Sequence, residues 1–409
     1  MVALAAHYAY SGPQANEAVY KKLRLIAEAT DIIDKFYVET VDMDKVFSAA
    51  LSGMMSALDP HSVYLSPADN KEFTIQMKGA FGGIGIVIGA KEGSLVVVSP
   101  LEDTPAFREG LKAGDKIIAI DGNNTQGWTI EEAVNKMRGP EGTQVVVEVR
   151  RGKEETTRKF TLRRATIKIP NLRSKLFDRG IGYIRLIAFR EGVAAEIHNE
   201  LEKLQKAAGG QLHGLILDLR YNPGGLLNEG VEVADVFLKS GIIVYTEGRS
   251  PQSKMLFLAN DNNNEPQCPI IVLINEGSAS ASEIVAGALR DHQKALLLGV
   301  RSFGKGSVQT KFELSDRSSI QITTAKYYTP NGTCIQAQGI EPDITVKFVP
   351  LEKTEEQPRR EQDIEGHIKA KTETKETPGR EEEDDLQKDN QLKTALDLLR
   401  SRALLSQWQ

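Results

Sequence analysis

The stretch Ile270-Ile271-Val272-Leu273-Ile274, continued by Asn275-Glu276-Gly277-Ser278-Ala279-Ser280-Ala281-Ser282-Glu283, decides how this chain is read. An apolar strand runs into a turn of small residues and then into a helix-like run to His292. A serine in such a turn can stand exposed at a helix N-terminus, where backbone N–H groups and the dipole favour developing negative charge. Further on comes Arg301-Ser302-Phe303-Gly304-Lys305-Gly306-Ser307-Val308-Gln309. Its two glycines leave the lysine backbone room to approach another segment.

A hydroxyl nucleophile needs a base, usually a histidine held by a carboxylate, and a lysine can take its place. The amine must then be neutral, so its pKa has to fall by roughly 3 from about 10.4, a bias of about 4 kcal/mol against the ammonium. Burial among Val300, Phe303 and Val308 is the expected cause. A plainer reading has Ser278, Ser280 and Ser282 capping the helix and Lys305 in solvent. Spacing alone leaves both open.

The pair G-S-A-S-A-S-E (277–283) and S-F-G-K-G-S-V-Q (302–309) resembles the carboxyl-terminal processing proteases, or tail-specific proteases, a serine/lysine family of bacterial envelopes and chloroplasts. The resemblance extends from about Glu17 to Val346. It implies Ser280 as nucleophile, Lys305 as general base and Gln309 as the residue that orients the lysine. It further implies an oxyanion hole in which the N–H of Gly224 or Gly225 pairs with that of Ala281, export to the periplasm or cell envelope, and assembly into a homodimer or larger oligomer.

A chain of 409 residues with 40% hydrophobic content is long enough for two or three domains with real cores. A net charge of -5 gives no reason to expect nucleic-acid binding. The two cysteines, Cys268 and Cys334, read as isolated thiols, one disulfide being the alternative, and do not settle a compartment. No apolar run is long enough to span a membrane. Residues 1–16 begin apolar but lack a basic n-region, as a remnant of a signal segment would.

The fold expected is α/β and multidomain. Residues 17–78 read as helical, with Tyr20, Leu23, Ile26, Thr30, Ile33 and Phe36 on one stripe, and a second helix running from Met43 until Asp59-Pro60 stops it. His61, in the phrase Leu58-Asp59-Pro60-His61-Ser62, reads as part of a structural turn. Residues 79–167 resemble a PDZ domain, β-rich with a helix from Thr129 to Met137. Its glycine-rich start, Phe81-Gly82-Gly83-Ile84-Gly85-Ile86-Val87-Ile88, is followed by strand-forming Leu95-Val96-Val97-Val98 instead of a helix, which excludes a dinucleotide loop. A PDZ domain adds a C-terminal peptide to a sheet edge. Gly83, Ile84 and Gly85 are the candidate carboxylate loop, with Ile86 and Ile88 facing the peptide. Arg138 precedes the Gly139-Pro140 turn, and in the resembling proteases an arginine there links peptide capture to the active site.

An α/β pattern fills residues 168–349, the serine/lysine protease core by resemblance. Gly214-Leu215-Ile216-Leu217-Asp218-Leu219-Arg220 reads as a strand buried on both faces, and Asn222-Pro223-Gly224-Gly225 leaves its end, where sites in such sheets are built. Asp218 and Arg220 read as a buried ion pair or loop brace. Residues 350–385 are too charged to form a core and read as a disordered linker. Residues 386–409 form a last amphipathic helix, its stripe of Leu392, Ala395, Leu396, Leu399 and Ala403 needing cover from its own protein or a second subunit.

The activity expected is that of a serine endopeptidase that recognises proteins and peptides by their free C-termini and cleaves nearby, with an adaptor protein as a further partner and no metal or other cofactor. The competing reading is a PDZ-bearing binding or scaffold protein on an inactive protease fold. His-Glu-x-x-His is absent, which disfavours a metalloprotease, and Gly-x-Ser-x-Gly is absent around Ser280, which disfavours an α/β-hydrolase.

Overall fold

A computed structural model describes residues 17–349 and 389–405, apart from 92, 153–155, 263 and 264. The N-terminal remnant and the charged linker expected from the sequence lie outside the described residues. Two compact units form among the described residues, one within 17–71, 174–185, 194–349 and 389–405, the other within 72–173 and 186–193.

In the first unit the N-terminal stripe becomes two helices, Glu17–Phe36 and Met43–Ser56. The Asp42 side chain caps the second by accepting the Lys45 N–H at 3.3 Å. Tyr20, Leu23, Ile26 and Phe36 stay exposed. A six-stranded sheet forms the core, in the order Leu172–Phe177, Ile181–Leu186, Gly214–Asp218, Ile270–Ile274, Ala295–Gly299, Ile344–Thr345. Neighbours from Ile181–Leu186 onward are parallel. Parallel strands covered on both faces require unbroken apolar runs, and every residue of Gly214–Asp218 and Ile270–Ile274 is buried.

The C-terminal helix, Asn390–Leu405, buries Ala395, Leu396 and Leu399 in a cluster with Ile216, Ile271, Leu273 and Leu298. A Cβ on Gly214 would lie 3.0 Å from Leu399 Cδ1, so a glycine is what lets the helix approach this close. Of the two covers open to this helix in the sequence, the structure takes its own chain.

A second, five-stranded sheet is centred on Ser319–Tyr328, which pairs antiparallel with Val63–Leu65, Gly241–Glu247 and Ser307–Glu313. Helix Ala281–Asp291 packs against Gly241–Glu247 of this sheet and Ala295–Gly299 of the first. That double cover explains why its residues from Ala281 to Leu289 are all buried. Cys268 and Cys334 are free thiols. No helix among the described residues is long and apolar enough to cross a membrane.

The second unit is an antiparallel sheet in the order Ile86–Lys91, Ser94–Pro100, Lys116–Ile120, Gln144–Arg150, Thr157–Arg163. Val145, Val147 and Val149 alternate into the core with Ile117, Ile120, Ala133 and Met137, as a strand with one wet face should. Helix Ile130–Met137 opens on a capping box: Thr129 Oγ1 accepts the Glu132 N–H at 3.2 Å and Glu132 Oε2 accepts the Thr129 N–H at 2.7 Å.

Candidate active site

Parallel pairing of Gly214–Asp218 with Ile270–Ile274 brings the loop after one strand beside the turn after the other. Asn222 and Asn275 hold them together. Asn275 Oδ1 accepts the Tyr221 N–H at 2.9 Å, and the Asn222 carbonyl accepts the Ala279 N–H at 3.0 Å. Gly224 (φ 94°) completes the fit, because a Cβ there would lie 2.8 Å from Ser280 Cβ and 2.9 Å from the Ala281 nitrogen.

The three serines of the turn differ in what their hydroxyls do. Ser278 Oγ donates to the Leu219 carbonyl at 2.8 Å and Ser282 Oγ to the Asn222 carbonyl at 2.9 Å, both fully buried. They fasten the turn to the neighbouring loop. Ser280 is 8% exposed and holds φ 56°, ψ −115°, a conformation costing a non-glycine residue about 1–3 kcal/mol. Its hydroxyl pairs with the Tyr327 phenol instead of a carbonyl. Burial of that phenol pushes its pKa up to about 12, against the opposing effect of the Ser280 hydrogen bond, so it is neutral at physiological pH.

Lys305 enters from the loop before strand Ser307–Glu313. The segment its glycines approach is Ile335–Gly339: the Gly304 carbonyl accepts the Ala337 N–H at 2.8 Å, and a Cβ on Gly304 would lie 3.0 Å from the Gly339 nitrogen. One side chain fixes both halves of the site. Glu283 Oε2 accepts the N–H of Ser280 at 2.8 Å and of Lys305 at 2.9 Å; its Oε1 accepts the N–H of Gly304 at 2.7 Å and the hydroxyl of Ser302 at 2.6 Å. Burial pushes the Glu283 carboxyl up, and these four donors oppose it.

Burial also lowers the pKa of the half-buried Lys305 amine, while the Asp59 carboxylate works in the opposite direction. Of the three residues expected to bury it, Val308 is buried and Val300 half-buried, but Phe303 is 64% exposed and turns away. Among the described residues no hydrogen bond joins the Lys305 amine to Ser280. Gln309 Nε2 donates to Ser307 Oγ at 2.9 Å and to Thr323 Oγ1 at 3.3 Å.

Of the expected oxyanion donors, the Gly224 N–H already donates to Asn222 Oδ1 at 2.9 Å. That hydrogen bond argues against Gly224 and leaves Gly225 and Ala281. Arg220 grips Asp218 through Nε–Oδ1 at 2.9 Å and Nη2–Oδ2 at 2.7 Å, and Tyr183 donates to Asp218 Oδ2 at 2.9 Å. The same guanidinium binds both oxygens of Asp389 at 2.8 and 2.7 Å and Gln391 Oε1 at 3.0 Å, so the pair braces the loop and ties in the C-terminal helix.

In the second unit, Ile86–Lys91 is an edge strand beside helix Ile130–Met137. Ile86 and Ile88 are half-buried against the core, and Val87 points to solvent. Gly83 ends the short strand Ala80–Gly83, and Gly85 takes φ 78° at the loop. Ile84 is a core side chain at 2% exposure, and its carbonyl accepts the Ala106 N–H at 2.9 Å, so its backbone is the part that borders the loop. Arg138 pairs with Glu72 and lies over the Phe81 ring at 4.6 Å.

Sequence reasoning missed Glu283, Tyr327 and Asp59. Glu283 had a signal: Ser280-x-x-Glu283 is a capping-box spacing at the start of an apolar run. Tyr327 and Asp59 reach the site through sheet pairing, which leaves no local mark.

The model of peptidase family S41 matches residues 180–346, that of the PDZ domain residues 96–151, and that of the activating protease CtpB N-terminal domain residues 4–68. A carboxy-terminal-processing protease of Bartonella bacilliformis is 41% identical over 377 residues, covering 90% of this chain and 87% of its own. The carboxy-terminal processing protease CtpB of Bacillus subtilis is 35% identical, over 82% of this chain and 70% of its own. Among solved structures, a photosystem II D1 C-terminal processing protease is 29% identical, covers 80% of this chain and 94% of its own, and superposes with a TM-score of 0.45.

Proposed function

The chain belongs to the carboxyl-terminal processing proteases of peptidase family S41, and from that premise we propose that it is an endopeptidase with a Ser280/Lys305 dyad, directed by its PDZ domain to the free C-termini of protein substrates. One observation carries the dyad. A single oxygen of Glu283 binds the backbone N–H of Ser280 and of Lys305, bringing together two residues far apart in the chain, and of the turn's three serines Ser280 alone has no carbonyl partner for its hydroxyl.

In this reading Ser280 Oγ leaves the Tyr327 phenol, gives its proton to the neutral Lys305 amine and attacks the scissile carbonyl carbon. The oxyanion is met by the N–H of Ala281 and Gly225. As the intermediate collapses, the Lys305 ammonium returns the proton to the departing amine. Water then releases the acyl group by the same route. The edge strand Ile86–Lys91 supplies a sheet edge to which an extended substrate tail can add, with Ile86 and Ile88 beneath it. Arg138, held by Glu72 and Phe81, is the residue through which capture is signalled to the protease.

The exposed apolar residues of helices Glu17–Phe36 and Met43–Ser56 are the surface for a homodimer or larger assembly, and an adaptor protein is a further partner. The compartment is the periplasm or cell envelope. The test is cleavage of a peptide with a free carboxylate by the wild-type protein, Ser280→Ala and Lys305→Ala, against the same peptide amidated. Loss in both variants and preference for the free carboxylate support the reading. Cleavage by a folded Ser280→Ala protein removes the dyad, and equal cleavage of the two peptides removes tail recognition.

A further inference from the structure

Asp59 lies in the turn after helix Met43–Ser56, far in the chain from Ser280 and Lys305. In the folded chain its Oδ1 accepts the N–H of His61 at 2.8 Å, the N–H of Ser62 at 3.0 Å and the hydroxyl of Thr323 at 3.2 Å; its Oδ2 accepts the Ser62 hydroxyl at 2.7 Å. Thr323 Oγ1 is also the acceptor for Gln309 Nε2 at 3.3 Å, and the Thr323 N–H donates to Ser62 Oγ at 3.2 Å. The register explains the convergence: Ser319–Tyr328 pairs Gln321 with Val63 and Thr323 with Gln309, and a bulge follows Val308 on the strand that Lys305 leads into. A four-donor carboxylate is thus joined through Thr323 to Gln309, on the strand that Lys305 leads into.

We propose that Asp59 is a positioning residue for Lys305, its carboxylate balancing the charge of the amine while Thr323 carries its hold to Gln309. The inference rests on Lys305 serving as the base.

The physical need comes from two opposing demands. Burial removes the proton from Lys305, but a lysine stripped of its basicity accepts the serine proton poorly, so the best base titrates near the working pH. Asp59 is the charge that offsets the burial of the amine. It can do so because it remains ionised: burial works to protonate it, but hydrogen bonds from Ser62, the His61 N–H and Thr323 hold its carboxyl below the usual range. Two other titratable groups stand at this site. Glu283, from the helix after Ser280, binds the Lys305 backbone, and Tyr327, from the central strand of the second sheet, pairs with Ser280.

The test is Asp59→Asn, with Asp59→Ser as the second neutral variant, since both keep a side-chain acceptor for the His61 and Ser62 N–H groups. Folding is checked by circular dichroism and thermal melting. Titration of the amine is then read without catalysis, by competitive acetylation of Lys305 in a Ser280→Ala background followed by mass spectrometry of the peptide. Loss of the negative charge should move the Lys305 midpoint down by about half a unit or more. In the active enzyme the acid limb of kcat/KM should move down with it, and the high-pH plateau should fall several-fold. Thr323→Val, which cuts the link to Gln309 but keeps the carboxylate, should lower the plateau without moving the limb. An unmoved Lys305 midpoint in whichever neutral variant folds would overturn the proposal, reducing Asp59 to a turn residue. Failure of the lysine-base reading is a separate result: Lys305→Ala would keep its activity.

Discussion

Replacing Glu283 with Gln removes a charge and no volume, so its effect isolates the hydrogen-bond clamp. Whichever way the amide is turned, an NH2 group faces donors. If Nε2 takes the place of Oε2 it confronts the Ser280 and Lys305 N–H groups; if it takes the place of Oε1 it confronts the Gly304 N–H and the Ser302 hydroxyl. Ser302 can rotate to accept, although its oxygen already takes the Ile340 N–H at 2.7 Å, so the second orientation is the less costly. It strands one buried N–H, worth about 1–3 kcal/mol, and weakens the remaining contacts by making a charged acceptor neutral. The expected loss is about 2–4 kcal/mol of unfolding free energy, with a fall in kcat of roughly 10- to 100-fold as Ser280 and Lys305 loosen relative to each other. Glu283→Ala, which leaves all four donors without their acceptor, should cost more. Urea unfolding at fixed pH and cleavage of a fluorogenic peptide measure the two effects. Wild-type stability together with wild-type kcat in Glu283→Gln would refute the clamp.

Ser280→Ala and Lys305→Ala should each abolish cleavage, and the double variant should lose no more than either alone, because nucleophile and base act as a unit; additive losses in kcat would contradict this. Burial lowers the Lys305 pKa below its ordinary value, so activity should be present above the lowered value and be lost as pH falls through it; a pH–rate profile flat from neutral down to about pH 5 would contradict the base role. Leu396→Ala should destabilise the first unit by about 2–5 kcal/mol, since that side chain is fully buried against the sheet, and an unchanged denaturation midpoint would show that the helix does not dock there. Asp389 is held below the usual carboxylate range by Arg220 despite burial, so its contribution is complete above an unfolded value of about 3.9 and is lost as pH falls through the lower folded value; Asp389→Asn should flatten that acid loss in a stability-versus-pH series.

What the sequence disclosed about the fold was what is written locally. The runs at Leu215–Leu217 and Ile270–Ile274 have no polar interruption, so a strand covered on both faces was the only economical reading, and the small-residue turn that follows marked where the helix begins. The second sheet was harder. Ser307–Glu313 alternates only weakly, and its strand character depends on pairing with Ser319–Tyr328.

Within the candidate site, a hydroxyl and an amine can be picked out as residue types, but their competence depends on what surrounds them, and that came from elements with no sequence link to either. The three serines at 278, 280 and 282 are chemically identical in the sequence. They separate only when the carbonyls of Leu219 and Asn222 take up two of the hydroxyls and leave the third, on the strained residue, to Tyr327. Lys305 likewise looks like any solvated lysine until the Asp59 turn and the buried Glu283 carboxylate are placed, one opposing the burial of its amine, the other holding its backbone. A dyad is therefore too small a unit for the chemistry. Lowering a lysine pKa without making the amine too weak a base requires burial and a counter-charge in balance, and under the proposal made for Asp59 that counter-charge comes from the turn after helix Met43–Ser56, outside the two catalytic motifs.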